Sequence, residues 1–502
     1  MAAWLVNAVS DSLADHDLAF LPAHQLLARM ATGQLTSRAL LELQLARVDQ
    51  INPSIGAVVA FDREAARKRA DAADHARQCG ESWGVLHGLP ITIKDTYEVA
   101  GMPCTAGAPV YRDHRPTANA WAVQRLLDAG AIAYGKTNVP FMASDIQSYN
   151  AVYGTTNNPW DVQRTPGGSS GGAAAALASG LTSLELGSDI GGSIRIPAHF
   201  CGVYGHKSSH GIISLRGHIP GPPGTLAEPD LAVAGPMARC AEDLALMLDV
   251  LSGPAPTQQP GWALQLPAPR PQRLQDYRVL MWMDDPYCPV DAATREAGAQ
   301  LHERLRAAGV QVVCAPPKGV TLEEMVLLYF HRLGGVLASA HTPAQRWGMG
   351  LVAPLLRHAG RMLGAPPYGH RFFSGCAQSH AQWLRERERV LALRACFVEL
   401  FDAFDVVLMP VAMGTAFAHD HSPVVSQRRI VVDGQRRAYA DMFGWIAPAT
   451  VLGLPATSAP VGLTAQNLPM GVQIVGGPFQ DRTTIAFAGL LGQLVGGFQK
   501  PG

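Results

Sequence analysis

The chain carries little charge and none in excess: 16% of its 502 residues are Asp, Glu, Lys or Arg, forty of each sign. Such a balance supplies no long-range field to gather a polyanion, so nucleic acid is not an expected partner. Cysteine is sparse and unpatterned. The eight (79, 104, 201, 240, 288, 314, 376 and 396) include no C-x-x-C pair and no regular ladder, which excludes a zinc knot and a disulfide framework and points to a reducing compartment. No uninterrupted apolar run nears the roughly 18 residues of a spanning helix. The first residues, MAAWLVNAVSDSLADHD, put no basic residue ahead of their short apolar run, so the reading is a cytoplasmic chain without a transmembrane segment, with contact at a membrane surface left open. No internal repeat is visible, which removes solenoids and propellers.

What is present is apolar. A hydrophobic share of 48% is enough for a large buried core. Helical and strand patterns alternate along it: a helix from Thr36 or Ser37 to about Ile51, another over Arg63 to Gln78 on an Ala66, Ala70, Ala73 stripe, a strand-like run over 84–95, a helix over Asn119 to Ala129 and a buried strand at Ala131 to Tyr134. Further on come a helix over Cys240 to Leu251, strands at Tyr277 to Met283 and Val310 to Cys314 around a helix over Asp291 to Ala308, a long amphipathic helix over 380–403, a strand at Asp405 to Met409 and a strand-like VQIVG before a last helix. The class is α/β. Six prolines between Ser252 and Arg273 mark a surface connection. The expected organisation is one domain over 1–502, with core motifs in 84–252, a helix-rich pocket portion in 274–403 and a return to the sheet in 404–502.

Eight glycines and six serines crowd residues 167–197, in two knots around a short helix (Ala173 to Ser179) and a strand (Leu181 to Leu186). Successive free N–H groups suit an oxyanion, and the run Ile190, Gly191, Gly192, Ser193 sets a hydroxyl beside such amides, the pairing acyl transfer requires. A plain turn packing helix on strand fits the same letters. Lys94 ends an apolar strand pattern, where burial is expensive unless the amine is paired or neutral; a strand-end lysine reaching solvent is the other reading. A desolvated lysine can serve as a serine's base.

Two motifs are rejected on context. Residues 130–137 match the P-loop letters, but a helix precedes them and AIAY is strand-like. Gly167 to Gly171 matches G-x-S-x-G, which would make Ser169 a nucleophile with partners such as Asp405 and His419, but no apolar strand leads into it. The cluster His419, Asp420, His421 offers no third metal ligand, so no metal is expected.

Lys94 in GLPITIKD, the knot GGSSGG and the run GSDIGGSIRIPA, in that order and with Ser169 and Ser193 24 residues apart, resemble the amidase signature family. The likeness continues through GKTNVP (135–140), NNPWD (157–161), FCGVYGHKSSHG (200–211), GPMAR (235–239), GLPATSAPVG and MGVQIVGGPF. It implies a large mixed sheet between helical layers with a helical insertion, and a cofactor-free amide hydrolase. Carried over by position, Ser193 is the nucleophile, Ser169 the bridging serine behind a cis peptide from Gly168, and Lys94 the base. Ile190, Gly191, Gly192 and Ser193 supply the oxyanion amides. Ser170, Asp189 and Arg195 are expected in support, the last two as an ion pair, and Phe141, Met142 and Ala143, with Ser169, on the substrate. VPFMASDIQSYN after Asn138 lacks the acidic start seen in tRNA-dependent amidotransferases and is nearer fatty-acid-amide-type members, and GHKSS replaces the common GLKPT. The expected partner is a small amide with an apolar or aromatic acyl group, and a homo-oligomer is possible. The alternatives are an amidotransferase A-type subunit, an esterase or carbamate hydrolase on the same triad, and a silent scaffold.

Overall fold

Short apolar runs separated by helices place eleven strands in one sheet. The structure, a computed structural model, describes residues 15–360, 362 and 365–502, so the residues before Asp15, on which the leader reading rests, lie outside it. The strands are β1 (Val58–Phe61), β2 (Pro90–Lys94), β3 (Ile132–Thr137), β4 (Leu184–Asp189), β5 (Tyr204–Lys207), β6 (Val233–Ala238), β7 (Arg278–Met281), β8 (Gln311–Cys314), β9 (Val406–Pro410), β10 (Ala456–Leu463) and β11 (Pro469–Val475). Their spatial order is β1-β3-β2-β4-β6-β5-β10-β11-β9-β7-β8. β3, β2 and β4 run parallel, as do β9, β7 and β8. The strands between these triplets pair antiparallel, which makes the sheet mixed.

Both faces of this sheet are covered. Val279, Met281, Val406 and Leu408 join one core, with Leu301 and Leu305 from the helix Ala292–Ala307 and Phe487 and Leu491 from the helix Asp481–Val495. Their strand neighbours Leu280, Val407 and Met409 join another, with Tyr329, Phe330 and Trp445. Alternation along a strand between two apolar cores is what a sheet buried on both sides requires. The helix-rich portion holds the helices Leu322–Leu337, Pro343–Ala359, Gly369–Cys376 and His380–Val398.

Several boundaries move. The run 84–95 is strand only over Pro90–Lys94, because Gly84 and Gly88 turn the chain ahead of it. The Gly/Ser segment folds as a helix over Gly171–Ala178 and a strand over Leu184–Asp189, three residues later than the hydrophobic pattern suggests. Thr182 explains the shift: its hydroxyl donates to the Leu184 carbonyl and accepts the Thr92 N–H, so Leu181 to Ser183 form the approach to the sheet. The helix expected over 380–403 breaks at Glu399, and Pro410 closes β9 from inside.

Candidate active site

The parallel pairing of β2 and β4, with Ile93 beside Leu186, brings Lys94 level with the end of β4. Carboxyl ends of parallel strands are where open α/β sheets bind ligands. Lys94 is fully buried, and its Nζ donates to the hydroxyls of Ser169 (2.8 Å), Ser170 (2.8 Å) and Ser188 (2.9 Å). An ammonium donates to all three, whereas a neutral amine donates to two and accepts a hydrogen bond from the third. Burial pushes this lysine from 10.5 down to about 7, against the opposing pull of the Asp189 and Glu185 carboxylates. Glu185 pulls weakly near neutrality, since burial lifts its own carboxyl to about 8.

The peptide Gly168–Ser169 is cis, and a Cβ on Gly168 would lie 2.7 Å from the Asp145 carbonyl oxygen, so only glycine fits. Ser193 sits across from this turn, with its carbonyl accepting the Ser170 N–H at 3.1 Å. Ser169 is 1% exposed and Ser193 6%. Among the described residues no hydrogen bond joins the Ser169 and Ser193 hydroxyls. The structure therefore gathers Lys94, Ser169 and Ser170 directly and ties Ser193 to them through main chain.

Asp189 shapes the loop between β4 and the helix Arg195–Cys201. Its Oδ1 accepts the Gly192 N–H (3.0 Å) and Arg195 Nη2 (2.8 Å), and its Oδ2 accepts the Ile194 N–H and Arg195 Nε, both at 3.1 Å. Burial alone would favour the neutral acid, but the Arg195 guanidinium, with Lys207 and the Ile194 amide, holds the carboxyl at about 2. Arg195 is held further by the Ile446 carbonyl (2.9 Å), Gln473 Oε1 (3.0 Å) and Thr450 Oγ1 (2.7 Å). One expectation changes here. The Gly192 amide is engaged by Asp189, while those of Ile190, Gly191 and Ser193 have no partner among the described residues.

Phe141–Ala143 is a tight turn with Met142 and Ala143 at φ 51° and 53°; Phe141 is exposed and Met142 packs on Cys104, Ala106 and Ile219. Asp405 binds Arg278, so it does not serve Ser169. Lys136 of the false P-loop lies inside β3, buried, 3.7 Å from Asp95. Three residues escaped the sequence reading. Ser188 was within reach of it, since a strand running to Asp189 beside one ending at Lys94 sets them level. Tyr329 and Phe443 were not: a Cβ on Gly191 would lie 2.8 Å from the Phe443 ring and 3.1 Å from the Tyr329 hydroxyl, a proximity no local pattern announces. The buried Tyr329 hydroxyl has no partner among the described residues.

The profile of the Amidase family matches residues 39–485. AmiB2 of Mycobacterium tuberculosis, which carries an amidase name, is 35% identical over 495 residues, covering 94% of this chain and 96% of that one. The A-type subunit of the glutamyl-tRNA(Gln) amidotransferase of Anaeromyxobacter sp. (strain K) is 30% identical over 510 residues, with the same shares covered. A solved structure described as an amidase superposes with a TM-score of 0.74 at 27% identity, over 95% of this chain and 100% of that one. On matches that take in Lys94, Ser169, Ser193 and nearly the full length, the chain belongs to the amidase family.

Proposed function

We propose that the chain hydrolyses carboxylic amides through an acyl-enzyme on Ser193, with Ser169 passing protons between Ser193 and Lys94. The observation that carries this reading is a lysine poised near neutrality, sealed under serine hydroxyls beside a loop with unengaged amides. Substrate draws the two hydroxyls into hydrogen-bond reach, as catalytic contacts tighten on binding. Ser169 gives its proton to the Lys94 lone pair while accepting that of Ser193. The Ser193 Oγ bonds to the carbonyl carbon, and the displaced C=O electrons settle on oxygen, facing the N–H groups of Ile190, Gly191 and Ser193. Collapse breaks the C–N bond, the proton returns from Lys94 through Ser169 to nitrogen, and ammonia or an amine leaves. Water then repeats the sequence on the ester, releasing the acid and restoring Ser193.

Tyr329, Phe330 and Phe443, near the Gly191 side of the loop, favour an apolar or aromatic acyl group. The test is a hydrolysis panel of aryl, fatty-acyl and short aliphatic amides, with ester and carbamate counterparts, on wild type and Ser193→Ala. The expected result is amide turnover with a preference for aromatic acyl groups, lost by roughly 10³-fold or more in the variant. A fluorophosphonate should label Ser193. Labelling of Ser169 instead would restore the nucleophile elbow, and no labelling with no turnover would leave a scaffold.

Similarity to the A-type chain of an amidotransferase supports a second reading, release of ammonia from an amide within an assembly. Amide hydrolysis by the purified chain alone separates the two.

A further inference from the structure

The helix Pro343–Ala359 buries only Ala353. Trp347, Leu351 and Leu355 follow one another at intervals of four along its outer side and are 70%, 59% and 56% exposed, with Val352 beside them. A Trp and two leucines in one exposed row are more apolar surface than a helix facing only water retains. Thr342 caps the helix with Gln345 in a capping box, so the row stands on a well-formed element.

The helix itself carries charge of one sign, Arg346 and Arg357 with no aspartate or glutamate. Between Glu324 and Glu386 the sequence has six arginines and no aspartate or glutamate, in a chain with forty residues of each sign overall. Arg332 and Arg371 of that stretch are bound by Asp230 and Glu386. Arg346 and Arg357 are exposed and, eleven positions apart, share the line that flanks the apolar row. Next to the helix opens a cleft of about 870 Å³, with Arg357, His358, His370 and Arg371 on its lining and Glu323 and Glu324 also in its wall.

We propose that the outer side of Pro343–Ala359 rests on an anionic lipid surface, with Trp347, Leu351 and Leu355 in the acyl boundary and Arg346 and Arg357 at the headgroups. An interfacial helix is defined by this combination of an apolar row with bulky side chains and basic flanks. A second copy of the chain fits less well. A two-fold contact sets the same patch against itself, so Arg346 and Arg357 would face their own counterparts with no carboxylate on this helix to answer them. The inference stands apart from the proposed chemistry, because none of these residues belongs to it.

The test is sedimentation of the full chain with vesicles of phosphatidylcholine alone and of phosphatidylcholine and phosphatidylglycerol in equal parts. Binding should be at least tenfold stronger to the anionic vesicles and should fall on raising NaCl to 0.5 M. Arg346→Glu with Arg357→Glu should weaken it by about fivefold or more per arginine. Trp347→Ser with Leu351→Ser and Leu355→Ser should abolish it while leaving hydrolysis of a water-soluble anilide at the wild-type rate, which also reports that the variant folds. Equal or absent binding to both vesicles overturns the proposal. So does unchanged binding by the arginine pair, or a wild-type dimer that the triple variant turns into monomers.

Discussion

At the scale of single residues, the proposed chemistry turns on the protonation of one amine. If Lys94 must be neutral to accept a proton and burial sets it at about 7, kcat/KM should fall tenfold per pH unit below that value and level off above it. A profile on wild type between pH 5 and 9 checks this, and a flat acid limb would remove Lys94 from the role of base. Stability has the same sign. Between about 7 and 10.5 the unfolded chain binds a proton at Lys94 that the folded chain does not, so this residue makes folding more favourable as pH rises through that window. Asp189 behaves as a depressed carboxylate: its contribution is complete above the ordinary carboxyl range and is lost as pH falls through about 2. Asp189→Asn leaves the Arg195 guanidinium buried with its countercharge gone, and should lower stability by about 3 to 5 kcal/mol in urea titration. A loss under 1 kcal/mol would mean that Ile446, Thr450 and Gln473 hold Arg195 unaided.

At the scale of elements, the loop after β4 is fixed at one end by Asp189 and crowded at the other by rings. Gly191→Ala should lower kcat/KM about 10²-fold, the loss expected when one oxyanion donor is displaced. Because the new methyl meets the Phe443 ring edge, Gly191→Ala with Phe443→Ala should recover part of that rate, and a further fall would assign the effect to backbone alone. How legible these elements were depended on the range of the forces that set them. The helix Arg63–Gln78 is local, with Asp62 capping it and its alanine stripe buried, and its ends were readable to the residue. The strand after Gly180 was misplaced because a hydroxyl on Thr182 and a neighbouring strand decide where pairing begins, and neither appears in a hydrophobic pattern. The meeting of Lys94 with Ser169 was legible because a glycine-rich turn and a strand-end lysine are unusual enough in sequence to match a known family. The Gly192 amide was not, since its diversion to Asp189 is a matter of loop geometry.

At the scale of the whole molecule, distant segments support the turn that presents Ser169. The backbone of Asp145 to Gln147 presses on Gly168. Asp145 is clamped by Arg428 Nη1 and the Tyr439 hydroxyl, each at 2.6 Å, from a segment near the two-stranded ribbon of residues 429–438. Arg428→Met should therefore reduce kcat more than it raises KM, by about tenfold in kcat/KM, with Arg428→Lys intermediate. An unchanged kcat would confine the clamp to folding. The same long reach shows in Arg195, whose last partner, Gln473, lies 278 positions further along. A ribosome makes Lys94, Ser169 and Ser193 early and that glutamine late. From Ser193 onward the growing polypeptide thus carries all three proposed catalytic residues without this last brace on Arg195, and the proposed chemistry must wait until its final strands have docked.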